Sequence, residues 1–272
     1  MTYFLNFRSQ NVGGPAVDPY LLEGDGSAAP PAVSVVPWAQ ANSIFAGKNV
    51  LFVTHGFNVS YQGGAKALEL LGRYLGLTGS NLFVGMLWPG DSWIPIVDYP
   101  FEGDVAIDCG KRLAAFCNQF CLGAQNLSFA SHSLGVRLVL PAVAALNCRS
   151  KLVCIMAGAV NRGALTAEYA RAAANCDRIT ALASHRDDVL KLAFTIGDPF
   201  ADILHDDHTP FQPALGYGGP AMPTVVQAPW QIADALDYGH GNYLPSDVDS
   251  RWEWPADFLR RNFYGEPLIW PS

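Results

Sequence analysis

From Asn49 to Ser184 the chain alternates between short apolar runs and longer stretches with helical spacing. This rhythm constrains its fold more than any other feature. Asn49-Val-Leu-Phe-Val-Thr is apolar on both faces and ends in His55-Gly56. Strands read this way when helices cover both faces of a parallel sheet. Leucines at helical spacing follow from Ala65 to Leu75. Leu82 to Trp88 reads as the next strand, closed by Pro89-Gly90. A loop rich in Trp, Pro and Tyr leads to a helix expected from about Gly103 to Phe120. An apolar run from Asn126, a helical pattern from Val136 to Leu146, a strand from Lys151 to Ala159, a helix from Thr166 to Ala174 and a strand from Asp177 to Ser184 complete the series. Strand and helix in alternation predict a mostly parallel central sheet with helices on both faces.

Outside this series, residues 2–8 alternate in strand fashion. A Gly/Pro/Ala-rich connection spans about 11–32, and a second short apolar run goes from Val33 to Trp38. Residues 197–230 break the rhythm with prolines, glycines and aromatics. A loop of this length inside a compact domain is usually functional, so this stretch is expected as a cap-like insertion. Thr224 to Gln227 is expected to complete the sheet, and a helix from about Ala256 to Phe263 to pack back on it. With 272 residues and no repeat or domain-scale linker, one domain over 1–272 is expected.

Composition narrows the function. Half the residues are hydrophobic, 15% are charged and the net charge is −7. No basic patch invites nucleic acid or an anionic membrane surface. No apolar run approaches a membrane span, and the first residues do not read as a secretory signal. A cytoplasmic protein is therefore expected, its six cysteines reduced and none at zinc-site spacing.

In a sheet of this kind, functional groups gather beyond the carboxyl ends of the strands. Those ends carry His55-Gly56-Phe57, Trp88-Pro89-Gly90, Ser133 and Asp187-Asp188, and a late histidine, His240, stands between two glycines. In Ser131-His132-Ser133-Leu134-Gly135 a serine sits at a strand-to-helix turn. Such a turn exposes the hydroxyl and points a helix N-terminus at the reacting carbonyl. A serine nucleophile needs a base, and the base needs an acid to fix its tautomer. Ser133, Asp187 and His240 supply the three. The spacing from Ser184 favours Asp187 over Asp188, although either also suits a helix cap. Backbone N–H groups of Leu134 and Phe57 are the candidate oxyanion donors. His55 reads as a brace for the oxyanion loop, His132 as structural with its side chain pointing away from Ser133, and His185 as too close to the acid to serve as the base. His205-Asp-Asp-His208 lacks a helical register and reads as a solvated loop rather than a metal site. Phe57, Trp88, Trp93, Tyr99, Phe211, Tyr217 and Trp230 either wall the substrate site or pack the rim of the sheet. Trp88, Trp93, Tyr99 and Trp230 are the expected substrate contacts.

These motifs together resemble the α/β-hydrolase superfamily, and more narrowly a mostly bacterial branch of hydrolase fold and unknown function. The resemblance rests on six features: His55-Gly56-Phe57-Asn58, Trp88-Pro89, Tyr99 with Asp104, His132-Ser133-Leu134-Gly135, Ser184 to Asp187, and His240 to Tyr243. It covers about residues 48–245. Gly90 stands where serine is common after Trp-Pro, and Ser131 is a further small-residue variation. The resemblance implies an α/β-hydrolase fold with a serine, acid, histidine order of catalytic groups. The expected activity is hydrolysis of a small carboxylic ester without metal or organic cofactor. A thioesterase or amidase on the same triad, or a non-catalytic binding protein that retained the fold, are the alternatives.

Overall fold

The computed structural model describes residues 2–10, 12–91, 95–195 and 212–268, with the backbone course alone for 95–102. An eight-stranded sheet forms the centre, in the order β3-β2-β1-β5-β4-β6-β7-β8. Its strands are β1 (Thr2–Arg8), β2 (Ala16–Asp25), β3 (Ala32–Val35), β4 (Asn49–Thr54), β5 (Asn81–Leu87), β6 (Asn126–His132), β7 (Leu152–Met156) and β8 (Ile179–Leu182). From β1 to β8 all neighbours pair in parallel, while β1–β2 and β2–β3 are antiparallel. This is the mostly parallel sheet that the strand–helix rhythm predicts, in the α/β-hydrolase fold that the resemblance implies.

After β1 and the antiparallel β2 and β3, the chain returns to the parallel part at β4, steps to β5 on one side, then crosses to β6 on the other. Parallel crossovers are right-handed, so the helices of those two connections lie on opposite faces. The first is α2 (Tyr61–Leu75) and the second α3 (Pro95–Phe120). On the α3 face lie α1 (Trp38–Phe45), α4 (Val136–Ala145) and α5 (Ala170–Ala174). Against α2 packs the last helix, α8 (Glu253–Tyr264). The direction of winding reverses at β4, and the crevice there opens between the ends of β4 and β6, which is where open α/β sheets place ligands.

Burial explains why these runs became central strands. Val50 to Thr54 of β4 and Leu127 to Ser131 of β6 are all buried. The Phe52 and Phe129 rings stack across the two strands at 5.5 Å. Truncating either to Ala removes about 3–5 kcal/mol. Helix α2 shows the complementary logic. Ser60 caps its start by accepting from the Gly63 N–H, Gly76 ends it with φ +59°, and Ala65, Leu68, Leu71 and Leu75 form its buried stripe.

Four elements differ from the sequence-based expectation. Strand β2 occupies the stretch read as a connection. Helix α1 begins at Trp38, where the apolar run was expected to end. Helix α3 starts at Pro95 rather than near Gly103. Proline is disfavoured inside a helix, yet Pro100 lies within its early turns. Thr224 to Gln227 forms no regular strand. Gln227 makes an isolated bridge to Thr180 of β8 and Gln231 one to Ala183 just after it, and Pro229 between them has no N–H to offer a ladder.

The expected cap-like stretch falls partly outside the described residues, at 197–211. The part from 212 is built into the rim beyond β7 and β8. There α7 (Leu215–Gly218) is held by the Gly216 N–H to Gly158 O at 3.0 Å and by the Ser184 N–H to Gly216 O at 2.9 Å. None of the six cysteines is joined in a disulfide. Among the described residues, no helix is long and apolar enough to cross a membrane.

Candidate active site

Strand β6 ends at His132, and the chain turns sharply through Ser133–Gly135 into α4. Ser133 takes φ +53° at this turn. A residue with a Cβ avoids the left-handed region, at about 1–2 kcal/mol, and such strain gathers at functional positions. The turn is possible because its neighbours are small. A Cβ on Gly135 would stand 2.6 Å from His55 O, and one on Gly56 would stand 2.8 Å from Ser133 Cβ. Backbone from the end of β4 therefore presses directly against the serine.

Residues distant in sequence converge here. Ser133 Oγ lies 2.7 Å from His240 Nε2, and His240 Nδ1 lies 2.8 Å from Asp187 Oδ2. The acid fixes the tautomer: Nδ1–H donates to the carboxylate, which leaves Nε2 to accept from the serine hydroxyl. Asp187 is wholly buried, and its other oxygen accepts the Leu190 N–H at 2.9 Å. It thereby caps α6 (Asp188–Thr195) while it holds the histidine. Asp188 is exposed. The geometry thus brings Ser133, His240 and Asp187 together in the order the sequence suggests.

The turn after β4 is held from several sides. The His55 Nδ1–H donates to Gly56 O at 2.8 Å, and the Trp88 Nε1–H donates to His55 O at 3.0 Å. The Asn58 N–H reaches Gly90 O at 2.6 Å. His55 is fully buried, and burial lowers its pKa to about 4, so the ring is neutral. With its Nδ1–H committed to Gly56 O, it braces the turn. Phe57, which follows Gly56, is half-buried beside the serine turn. Leu134 is buried directly after Ser133.

Beneath this turn sits an ion pair that sequence reasoning missed. Arg8, at the end of β1, pairs with Asp91, and its Nη1–H groups reach Trp88 O at 2.8 Å and Val59 O at 3.4 Å. Asp91 also accepts the Gly13 N–H at 3.0 Å. Both side chains are buried. No local signal joins residues this far apart, and Arg8 reads in sequence as the polar end of a strand.

The expected substrate contacts fare unevenly. Trp88 has no exposed surface. Its ring stacks on His55 at 5.8 Å, so it braces the turn and cannot wall an open cleft. Trp93, Phe211 and the His205–His208 stretch lie outside the described residues, as does the side chain of Tyr99. Trp230 packs at the edge of β8, where its carbonyl accepts the Ala183 N–H at 2.8 Å and its ring covers Gly219. Tyr217 stands edge-on to His185. His132, expected to be structural, has its ring 5.0 Å from the His240 ring.

No curated protein and no solved structure gives a significant match to the chain. Residues 40–203 match a known family. Ser133, Asp187 and the turn after β4 fall within that stretch, while His240 and Arg8 lie outside it. With more than half of the 272 residues matched, the chain belongs to the family described as alpha/beta hydrolase of unknown function (DUF900).

Proposed function

We propose that the protein is a serine hydrolase that cleaves carboxylic esters through an acyl-enzyme intermediate. The observation that carries this reading is the continuous hydrogen-bonded line from Ser133 Oγ through His240 to Asp187, at 2.7 and 2.8 Å. Ser133 Oγ attacks the acyl carbonyl as His240 Nε2 takes its proton. Asp187 stabilises the imidazolium that forms and is not itself protonated. The N–H groups of Leu134 and Phe57 receive the oxyanion, each contributing roughly 3–4 kcal/mol in the transition state. His240 then passes the proton to the departing alcohol. Water, deprotonated by His240, attacks the acyl carbon, and Ser133 leaves with the proton returned to it. No step calls on a metal or an organic cofactor.

The preference for an uncharged substrate rests on charge. Arg8 is buried against Asp91, and His55 and His132 are neutral. The described groups around Ser133 thus offer no cation to an anionic substrate, which favours an uncharged ester with an apolar acyl or alcohol part. A substrate panel tests this: p-nitrophenyl esters of increasing acyl length beside the matched thioester and anilide. Turnover of short or medium esters that vanishes in Ser133→Ala supports the reading. Faster turnover of the thioester or the anilide replaces the ester with that bond. Turnover of none, by a folded protein, supports a binding role for the fold.

A further inference from the structure

His132 adjoins Ser133 in sequence yet stands outside the line from Ser133 to Asp187. Its Nε2 lies 2.8 Å from the backbone carbonyl of His240. A carbonyl oxygen only accepts, so Nε2 carries the hydrogen and donates it. The ring is neutral: burial first, and then the neighbouring His240, lower its pKa to about 3. On the other side, its Nδ1 would be 3.0 Å from a Cβ on Gly56, and Tyr243, fully buried, closes over the ring at 5.9 Å. The imidazole therefore fills the space between the loop that carries the base and the turn expected to bind the oxyanion.

We infer that His132 is a positioning residue, which locks the His240 loop to the nucleophile turn through its Nε2–H···O=C bond and so sets the distance across which the serine proton moves. This inference rests on the serine-hydrolase reading. The need for such a lock follows from the sequence of the loop. His240 stands between Gly239 and Gly241, the residue type with the greatest backbone freedom. The Gly239 N–H bonds to Asn242 Oδ1 at 2.8 Å, and the Asn242 N–H bonds to Gly239 O at 3.2 Å. Both bonds tie the loop to itself. The His132 bond ties it to β6, one residue from the serine, so serine and base share one anchor. Misplacement of a reacting group by about 1 Å lowers a rate about 100-fold.

The test uses the full chain with His132→Leu and His132→Gln. Glutamine places an amide N–H near the position of Nε2, and leucine places none. Three quantities are read: the rate of labelling by a fluorophosphonate, kcat and KM on an ester, and amide hydrogen exchange over residues 239–243. His132→Leu is expected to label and turn over about 100-fold more slowly, with KM within about threefold and faster loop exchange. His132→Gln is expected to recover most of the rate. Leucine matching the wild type, or glutamine losing as much as leucine, overturns the inference. Should His132→Leu fail to fold, glutamine is compared with asparagine, whose shorter amide does not reach; equal rates overturn it. A wild type that takes no label counts against the serine-hydrolase reading instead. In that case unchanged loop exchange in His132→Leu is what overturns the positioning role.

Discussion

Asp187 holds His240 with one carboxylate oxygen and caps helix α6 with the other. One oxygen serves the fold and the other the proposed chemistry, and substitution separates the two. Asp187→Asn keeps an oxygen for the Leu190 N–H but presents no charge to the imidazole. Stability is expected to stay within about 1 kcal/mol of wild type, while kcat falls by roughly three to four orders of magnitude. Asp187→Ala is expected to lose the same activity and, in addition, about 1 kcal/mol for the lost cap. Urea unfolding beside steady-state kinetics reads both effects. An Asn variant with near-normal turnover removes Asp187 from the mechanism.

The left-handed backbone of Ser133 makes a second prediction. At φ +53° an alanine retains the strain and a glycine relieves it. Ser133→Gly is expected to be more stable than Ser133→Ala by about 1 kcal/mol, with both inactive. Equal stability in chemical denaturation indicates that the turn is unstrained.

The Arg8–Asp91 pair ties the first strand to the turn after β4. Breaking a buried pair leaves an uncompensated charge and costs about 3–5 kcal/mol. Arg8→Met and Asp91→Asn are each expected to lower the melting temperature sharply. The double variant is expected to be more stable than the sum of the two single effects, because it leaves less buried charge unpaired. Additive losses in thermal unfolding refute the coupling. The pair also predicts that residues before the family-matched stretch are indispensable to the site.

Stability has a calculable pH sign. His55 and His132 titrate near 6.5 when unfolded, and burial brings them to about 4 and about 3 in the fold. The unfolded state then binds more protons below pH 6.5. Their contribution is complete above that pH and is lost as pH falls towards 4 and below. The unfolding free energy is expected to drop by a few kcal/mol between pH 6.5 and 4, with a shallower slope in His132→Gln. A flat profile over that range shows that neither ring is buried neutral.

Much of this was legible in the sequence, and the exceptions have physical causes. Strands β4 and β6 announce themselves because both faces are buried. Strand β2 does not: Asp18 and Pro19 interrupt its apolar residues, and its burial mixes buried with exposed positions. The convergence of Ser133, Asp187 and His240 was legible because a serine and an acid fell after strands and a histidine followed in a glycine-flanked loop. Trp88 was misread because a large aromatic at a strand end serves a cleft wall and a core equally well. Only the packing of His55 and the Arg8 bond to its carbonyl decide between them. For His132, alternation along a strand gives the side chain's face and no information on which loop, 108 residues later, will meet it.

The central claim is that Ser133 is an activated nucleophile, and intact mass spectrometry after fluorophosphonate treatment tests it most directly. One adduct per wild-type chain is expected, and none on Ser133→Ala. A folded wild type without an adduct, or an adduct on both proteins, contradicts it.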